Sequence, residues 1–148
     1  MQVMRQVYIL LPLGVACVLG ACADNKPLEK GLRVGPSVTR HTKKDQSVTV
    51  YSAYQVANDC VMYDLPPSVK IITPPRNGIA TVVHVKDHPA YPTTSHLYKC
   101  NARMIPMTAV TYRPNPGFTG TDSLALQTNF TGSLNPPDRT AVAVEVAP

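Results

Sequence analysis

The sequence predicts an all-β fold, an antiparallel β-sandwich of about seven short strands carried by residues 46–148. Two observations support this fold class. Short runs rich in β-branched residues follow residue 46, and Pro, Gly, Asn or Asp bounds each of them, as is typical of antiparallel strands joined by turns. The chain also contains 15 prolines. Because proline costs about 3 kcal/mol inside a helix, long helices are not expected.

The predicted strands follow one another along one domain without an internal repeat. They are Ser47–Tyr51, Val69–Ile72, Ile79–Val85, Ala109–Tyr112, Ser123–Thr128 and Thr140–Val146. Apolar and polar residues alternate in several of them, which directs one face of the strand to the core and the other to solvent. Six or seven strands in about 100 residues match the size of a single sandwich.

Residues 1–21 have the layout of a secretory signal peptide. The apolar stretch from Val7 to Ala21 is shorter than the roughly 20 residues that a bilayer-spanning helix needs. Arg5 supplies a positive charge ahead of it, and small residues close it. We therefore expect this segment to direct export and to be removed.

The end of the leader, Leu19-Gly20-Ala21-Cys22, resembles the lipobox of bacterial lipoproteins. In that family the cysteine thiol is acylated and the chain is cut before it. The resemblance thus implies lipidation of Cys22 and a firm membrane anchor. Ala23 is not the aspartate that favours inner-membrane retention, so the outer membrane is the expected location. The alternative is an ordinary signal peptide cut after Ala21, which leaves a free cysteine.

Residues 22–45 are polar, charged and interrupted by Pro and Gly, which predicts a flexible tether between the anchor and the domain. The whole chain has a formal net charge of +5, and several basic residues lie in this tether. The interpretation is a solvated linker. The alternative is attraction to anionic lipid or cell-wall polymer. Nucleic acid is not an expected partner of an exported chain.

Cys60 and Cys100 remain once the leader and Cys22 are set aside. An even pair of cysteines in an exported domain favours a disulfide bond. Closing a loop of about 40 residues stabilises a fold by roughly 4 kcal/mol in the chain-entropy treatment. The alternative is two free thiols with a metal or redox role, although neither cysteine belongs to a Cys-x-x-Cys pair. We expect the disulfide to hold the intervening segment against the sandwich.

Two segments resemble bacterial immunoglobulin-like (Ig-like) and cadherin-like domains. Tyr112–Leu124 is similar to their Y-x-P-x-x-G-F-x-G-x-D-x-F signature, with Leu124 where an aromatic residue is usual. Pro74–Val82 resembles their P-x-x-G hairpin. The positions of Cys60 and Cys100 resemble an exported single-domain subgroup. The resemblance implies an Ig-like sandwich, and the absence of tandem copies argues against an adhesin of the kind that strings such domains together.

The roles expected of these motif residues are structural. Asn77-Gly78 supplies the positive φ that a tight hairpin needs. Gly117 and Gly120 permit a sharp reversal, and Phe118 closes the end of the sandwich.

Two polar residues of the signature are also expected to serve the fold. Tyr112 is predicted near a sheet edge with its hydroxyl bonded to the turn. Asp122 is predicted to accept backbone N–H groups, the alternative being a calcium ligand together with Asp87 and Asp138.

The sequence contains no motif that indicates catalysis, so a non-enzymatic protein without a cofactor is expected. There is no Gly-x-Ser-x-Gly elbow and no glycine-rich phosphate loop. His84, His88 and His96, with Asp87, are the best candidates for a transition-metal cluster. Pro89 ends the strand that would bring the first two together, so exposed loop histidines and no metal are the interpretation.

A binding or assembly role in an envelope complex, with another envelope protein as partner, is the functional hypothesis. Such domains recognise partners through loops or at an exposed sheet edge. The candidate binding segment is residues 86–108, with Tyr91, Tyr98, Arg103, Met104 and Met107. The alternatives are a loop that only covers the core, an adhesion or cell-wall glycan-binding module, and a small enzyme.

Overall fold

A computed structural model describes residues 37–148 and the backbone of one short strand, Arg33–Val34. The predicted signal peptide, the lipidation of Cys22 and residues 22–32 of the predicted tether lie outside the described residues. Within the part of the chain that is described, no helix is long and apolar enough to span a membrane.

The regular secondary structure of the described residues is almost entirely β-strand. The strands are β1 Arg33–Val34, β2 Val38–Lys43, β3 Val48–Ala53, β4 Ser68–Thr73, β5 Gly78–Asp87, β6 Ile105–Pro114, β7 Gly120–Asn129 and β8 Asp138–Ala147, with one short 3₁₀-helix at Tyr98–Ala102. Each of the six strands predicted from the sequence is present. The structure extends most of them, because backbone pairing continues into residues without a recognisable apolar pattern.

The strands form two sheets packed as a sandwich, which confirms the predicted fold class. In the first sheet β1 and β2 both pair with β8, followed by β7 and β4; in the second the order is β3, β6, β5. The apolar residues that pack between the sheets are Val50, Val110, Tyr112, Leu124, Leu126, Val142, Val144 and Val146. They lie on β3, β6, β7 and β8, so each sheet contributes one apolar face.

The prediction that residues 22–45 form a flexible tether is wrong for the end of this range, because β2 lies within it. This strand pairs parallel with β8, beginning with Val38 opposite Val142, whereas the prediction was of antiparallel strands only. Only Val38 and Thr42 of β2 are partly buried. The hydrogen bonds of β2 come from the last strand of the chain, so its own residues carry almost no strand pattern.

The predicted hairpin at Asn77-Gly78 is also wrong. β4 pairs with β7 and β5 pairs with β6, so this connection crosses from one sheet to the other. Positive φ values among the described residues occur elsewhere, and neither Asn77 nor Gly78 has one. Glycine is needed at position 78 for space: a Cβ there would collide with the Tyr112 ring and lie 2.6 Å from the carbonyl oxygen of Arg113.

Gly78→Ala should therefore lower the free energy of unfolding by about 2 kcal/mol, because the added methyl displaces a buried ring. Urea denaturation followed by circular dichroism measures this. Thr81→Ala, an exposed change on the same strand, is the control and should cost less than about 1 kcal/mol. Equal stability of the two variants would contradict the close packing of β5 against Tyr112.

The β6–β7 turn follows the prediction. Gly117 and Gly120 have φ values of 74° and 121°, which glycine adopts without strain. Phe118, between them, is partly buried and packs against the main core. Leu124, at the position where the resembled signature has an aromatic residue, is only 2% exposed and fills the core in its place.

Tyr112 is fully buried on β6, the central strand of the second sheet, so the prediction that it lies near an edge is wrong. Its hydroxyl donates to Asp122 Oδ2 at 3.0 Å and lies 3.3 Å from the Asn77 carbonyl oxygen. A buried phenol hydroxyl requires such partners. Burial first, and then the Asp122 carboxylate, raise the pKa of Tyr112 well above its ordinary value.

Asp122 accepts backbone N–H groups, as predicted, but two of the donors lie far away in the chain. Arg76 N and Asn77 N, in the β4–β5 connection, donate at 3.0 and 2.8 Å, and Ser123 N donates at 2.9 Å. Burial acts to raise the pKa of this carboxyl group. The three N–H groups and the Tyr112 hydroxyl outweigh it and hold the pKa below its usual range.

Candidate functional site

The candidate site is built on the predicted disulfide, which the structure confirms between Cys60 and Cys100. Cys60 lies in the β3–β4 connection and Cys100 in the 3₁₀-helix of the β5–β6 connection. The bond therefore joins two long connections at one end of the second sheet. Cys60 has a φ of 65°, which turns the chain sharply at the bond.

The β5–β6 connection folds over the outer face of the second sheet. Side chains alternate along a strand, so Ile105 and Met107 lie on the face of β6 opposite to Val110 and Tyr112. The cluster that covers this outer face consists of Val56, Cys60, Cys100, Ile105 and Met107. β6 is thus buried on both sides, by the other sheet and by the disulfide-linked connections.

Two of the five predicted binding residues serve mainly this packing. Met107 is 3% exposed and lies in the outer cluster, so its placement on a binding surface is wrong. Tyr91 is partly buried, with its ring edge-on to Tyr54 at 5.2 Å. Burial and then Tyr54 raise the pKa of Tyr91, against a backbone hydrogen bond from Val56 that lowers it. Both side chains therefore pack against the cluster that this segment covers.

The other three predicted binding residues are exposed. Tyr98 and Met104 are 50% and 58% exposed, on either side of Cys100 in the chain. The Arg103 side chain is also exposed, and its Nη1 lies 3.4 Å from the Cys60 carbonyl oxygen. The guanidinium group thus links the two connections next to the disulfide and leaves its remaining donors for solvent or a partner.

The sequence analysis did not identify a second group of exposed residues beside the disulfide. Four large apolar side chains just after Cys60 are 39–69% exposed: Val61, Met62, Tyr63 and Leu65. Together with Tyr98, Arg103 and Met104 we call them the disulfide-end surface. The one sequence feature that could have indicated this surface is the position of Val61–Leu65 directly after a cysteine and before two prolines. It has no strand period, so its exposure could be learned only from the fold.

A groove of about 390 Å³ extends this surface towards β5. It is lined by Leu65, Pro66, His84, Val85, Lys86 and Pro106. The β3–β4 connection forms one wall and the end of β5 the other. The disulfide-end surface therefore adjoins an apolar groove at the edge of the second sheet, and Leu65 belongs to both.

The three candidate histidines are held apart by separate hydrogen bonds. His84 Nδ1 is 3.2 Å from Thr108 Oγ1, and His88 Nδ1 is 2.9 Å from the Asn101 carbonyl oxygen. The third, His96, contacts Asn58 Oδ1 through Nε2 at 3.0 Å. Across residues 37–148, no three His, Cys, Asp or Glu side chains are grouped so as to hold a metal ion.

A second, polar pocket lies mainly at the β7–β8 connection. Its volume is about 290 Å³, and its lining is Gln55, Thr128, Asn129, Phe130, Ser133, Asn135, Pro136, Pro137 and Asp138. Amide, hydroxyl and carboxylate groups with one aromatic ring are suited to hydrogen-bonding a polyhydroxylated ligand.

Comparison with known proteins assigns no relative to this chain. No family model, no curated protein sequence and no solved structure matches it.

Proposed function

We propose that the protein is a non-enzymatic, lipid-anchored component of the bacterial cell envelope, in which the sandwich binds another envelope protein. The observation that carries this proposal is the disulfide-end surface. Its large apolar side chains are exposed beside a disulfide that holds them in place. This is the surface composition expected of a site that is covered by a partner.

Rigidity strengthens the case for this surface. Association usually requires side chains and loops to lose conformational freedom, which weakens binding. Here the disulfide and the Arg103 contact to the Cys60 carbonyl already restrain both connections. The segments that carry the exposed Tyr98 and Met104 therefore lose less conformational entropy when a partner binds, as is typical of a preorganised interface.

The anchor and the location rest on the leader. The resemblance to the lipobox supports acylation of Cys22, and Ala23 supports a location at the outer membrane. An intramolecular disulfide is in keeping with an exported domain. The intact mass of the protein purified from membranes tests the anchor: a chain that begins at Cys22 and carries acyl groups is expected, and an unmodified cysteine would contradict it.

Partner capture tests the binding role. The native lipidated protein, purified in mild detergent from crosslinked envelopes, should capture an envelope protein in a fixed stoichiometry. Leu65→Ser should reduce the captured amount about tenfold, because it removes an exposed apolar contact of the surface. Leu134→Ser is the matched control, since Leu134 is fully exposed in the β7–β8 connection. Capture without a recurrent protein, or equal loss in both variants, would contradict the proposal.

The polar pocket at the β7–β8 connection favours one alternative, a cell-wall glycan-binding module. In that case the purified protein is retained on isolated wall polymer, and Asn129→Ala weakens the retention while Leu65→Ser does not. Retention of that kind together with a blank protein capture would replace the first proposal by the second.

A further inference from the structure

β5 is a long, open edge strand of the second sheet. It runs for ten residues and, among the described residues, pairs only with β6, in continuous register. The edge strands β3 and β4 have six residues each and a register shift, at Thr49/Tyr51 and Ile71/Thr73. Bulges and short lengths protect edges from pairing with other chains. β5 lacks both protections.

The backbone groups that β5 leaves unpaired can be identified from its pairing with β6. Asn115 N donates to the Asn77 carbonyl oxygen at 2.8 Å, and these residues continue the register in which Gly78 opposes Pro114. Hydrogen-bonded and non-hydrogen-bonded pairs alternate in an antiparallel ladder. The odd-numbered residues of β5 therefore bond to β6. The even-numbered residues direct their N–H and C=O groups to the open edge: Gly78, Ala80, Val82, His84 and Lys86.

The prolines of β6 support the same assignment independently. Pro114 opposes Gly78 and Pro106 opposes Lys86, both at positions assigned as non-hydrogen-bonded. Proline has no N–H to donate and is accepted in a ladder only at such positions. Two separate features of the structure thus agree on which groups face outward.

We propose that a second copy of this chain adds its own β5 to this edge, antiparallel, with Val82 opposite Val82 of the second copy. Val82 is the middle one of the outward-facing residues. In this register Ala80 opposes His84 and Gly78 opposes Lys86, so every outward N–H and C=O group of both strands finds a partner. Any other antiparallel register leaves some of these groups unpaired.

The exposed side chains point to the same register. Ile79 and Val85 are the exposed large apolar residues of β5, at 67% and 39% exposure, and each is three residues from Val82. Centring the pair on Val82 places Ile79 of one copy opposite Val85 of the other, twice per dimer. Directly opposed apolar side chains stabilise a strand pair. The strand is therefore self-complementary in backbone and in side chains.

This inference rests on the proposed assembly role and specifies it: the partner at β5 is the protein itself, whereas the disulfide-end surface is left for another envelope protein. The two surfaces meet at Val85 and Leu65, which line the same groove. Pairing of β5 would place both disulfide-end surfaces at opposite ends of one continuous six-stranded sheet, because the two β5 strands are antiparallel.

A charge exchange tests the register. Ile79→Glu and Val85→Lys, each alone, should raise the dimer dissociation constant about tenfold, because each breaks two apolar cross-strand pairs. The double variant Ile79→Glu/Val85→Lys should restore it to near the wild-type value, because the opposite charges then face each other across the dimer. Within one chain the two positions are roughly 20 Å apart along the strand and do not pair.

The measurement is sedimentation velocity of the full chain in nonionic detergent over a range of concentrations. Leu134→Glu, at an exposed apolar position away from β5, is the matched control and should leave the dissociation constant unchanged. Both altered positions on β5 are exposed, so the variants should keep the melting temperature of the wild type, which would show that the fold is retained.

The outcomes separate this inference from the proposed function. Three results would overturn pairing in this register. The first is a wild-type protein that is monomeric at every concentration. The others are a dimer whose dissociation constant is unchanged by both single substitutions, and a double variant whose dissociation constant does not return to near the wild-type value. If the same preparation still captures an envelope protein, the proposed function stands without it. A monomer that captures nothing removes both.

Discussion

Removal of the Cys60–Cys100 disulfide should lower the free energy of unfolding by about 4 kcal/mol, since the bond closes a long loop in the unfolded chain. The cysteines are 40 positions apart. Both are buried in the outer cluster, so Cys60→Ala/Cys100→Ala avoids burying the hydroxyl groups that serine would introduce. Calorimetry of the double variant should show a melting temperature lower by more than about 10 °C.

Reduction provides the control for the disulfide. A thiol reductant should lower the melting temperature of the wild type and leave that of the double variant unchanged. We also expect the disulfide-end surface to become more susceptible to proteolysis at Arg103, because the two connections lose their covalent link. A loss of stability below about 1 kcal/mol would mean that the outer cluster holds the connections without the bond.

Asp122→Asn should lower the free energy of unfolding by roughly 3 kcal/mol, although the side chain keeps its size. The carboxylate is 5% exposed and accepts bonds from Arg76 N, Asn77 N, Ser123 N and the Tyr112 hydroxyl. An amide has one acceptor oxygen and one N–H₂ group, so at least one buried backbone N–H would face another donor.

The same residue should produce a pH dependence of stability. The pKa of Asp122 is lowered in the folded protein, so between the folded value and the unfolded value of about 4 the unfolded chain binds more protons. Its stabilising contribution is therefore complete above that unfolded value and is lost as the pH falls through the folded pKa. Urea denaturation at a series of pH values should show a shallower acid loss for Asp122→Asn than for the wild type.

Asp64→Asn is the matched control for both measurements. Asp64 is exposed in the β3–β4 connection, and its substitution should change the stability by less than about 0.5 kcal/mol. Tyr112→Phe, which removes one of the donors to Asp122, should cost about 1 kcal/mol. An Asp122→Asn variant as stable as the Asp64 control would show that the carboxylate does not hold the β4–β5 connection.

The positions of six strands could be predicted from local composition, because β-branched runs bounded by turn residues form strands in nearly any sandwich. The runs before Asp87 and after Gly120 are examples, and the structure lengthens each by a few residues. β2 was not readable. Its strand state depends on parallel pairing with β8, a non-local interaction that leaves Val38 and Thr42 as the only partly buried residues.

The candidate site divides in the same way. The pairing of Cys60 with Cys100 followed from counting cysteines in an exported domain, and the exposure of Tyr98 and Met104 from their place in a long connection. The burial of Met107 did not follow, because a strand that is covered on both faces has no polar side to reveal it. The exposure of Val61–Leu65 was equally hidden, since apolar residues are expected inside.

Local composition thus determined the six strands β3 to β8, the need for glycine in the β6–β7 turn and the pairing of the cysteines, because those properties depend on neighbouring residues and on residue chemistry. Tertiary packing decided which strands are neighbours, why position 78 must be glycine, which donors Asp122 serves and which edge stays open. Each of these depends on residues far apart in the chain whose meeting is governed by the arrangement of the sheets. The open edge of β5 belongs to this second kind, and so does the surface around the disulfide.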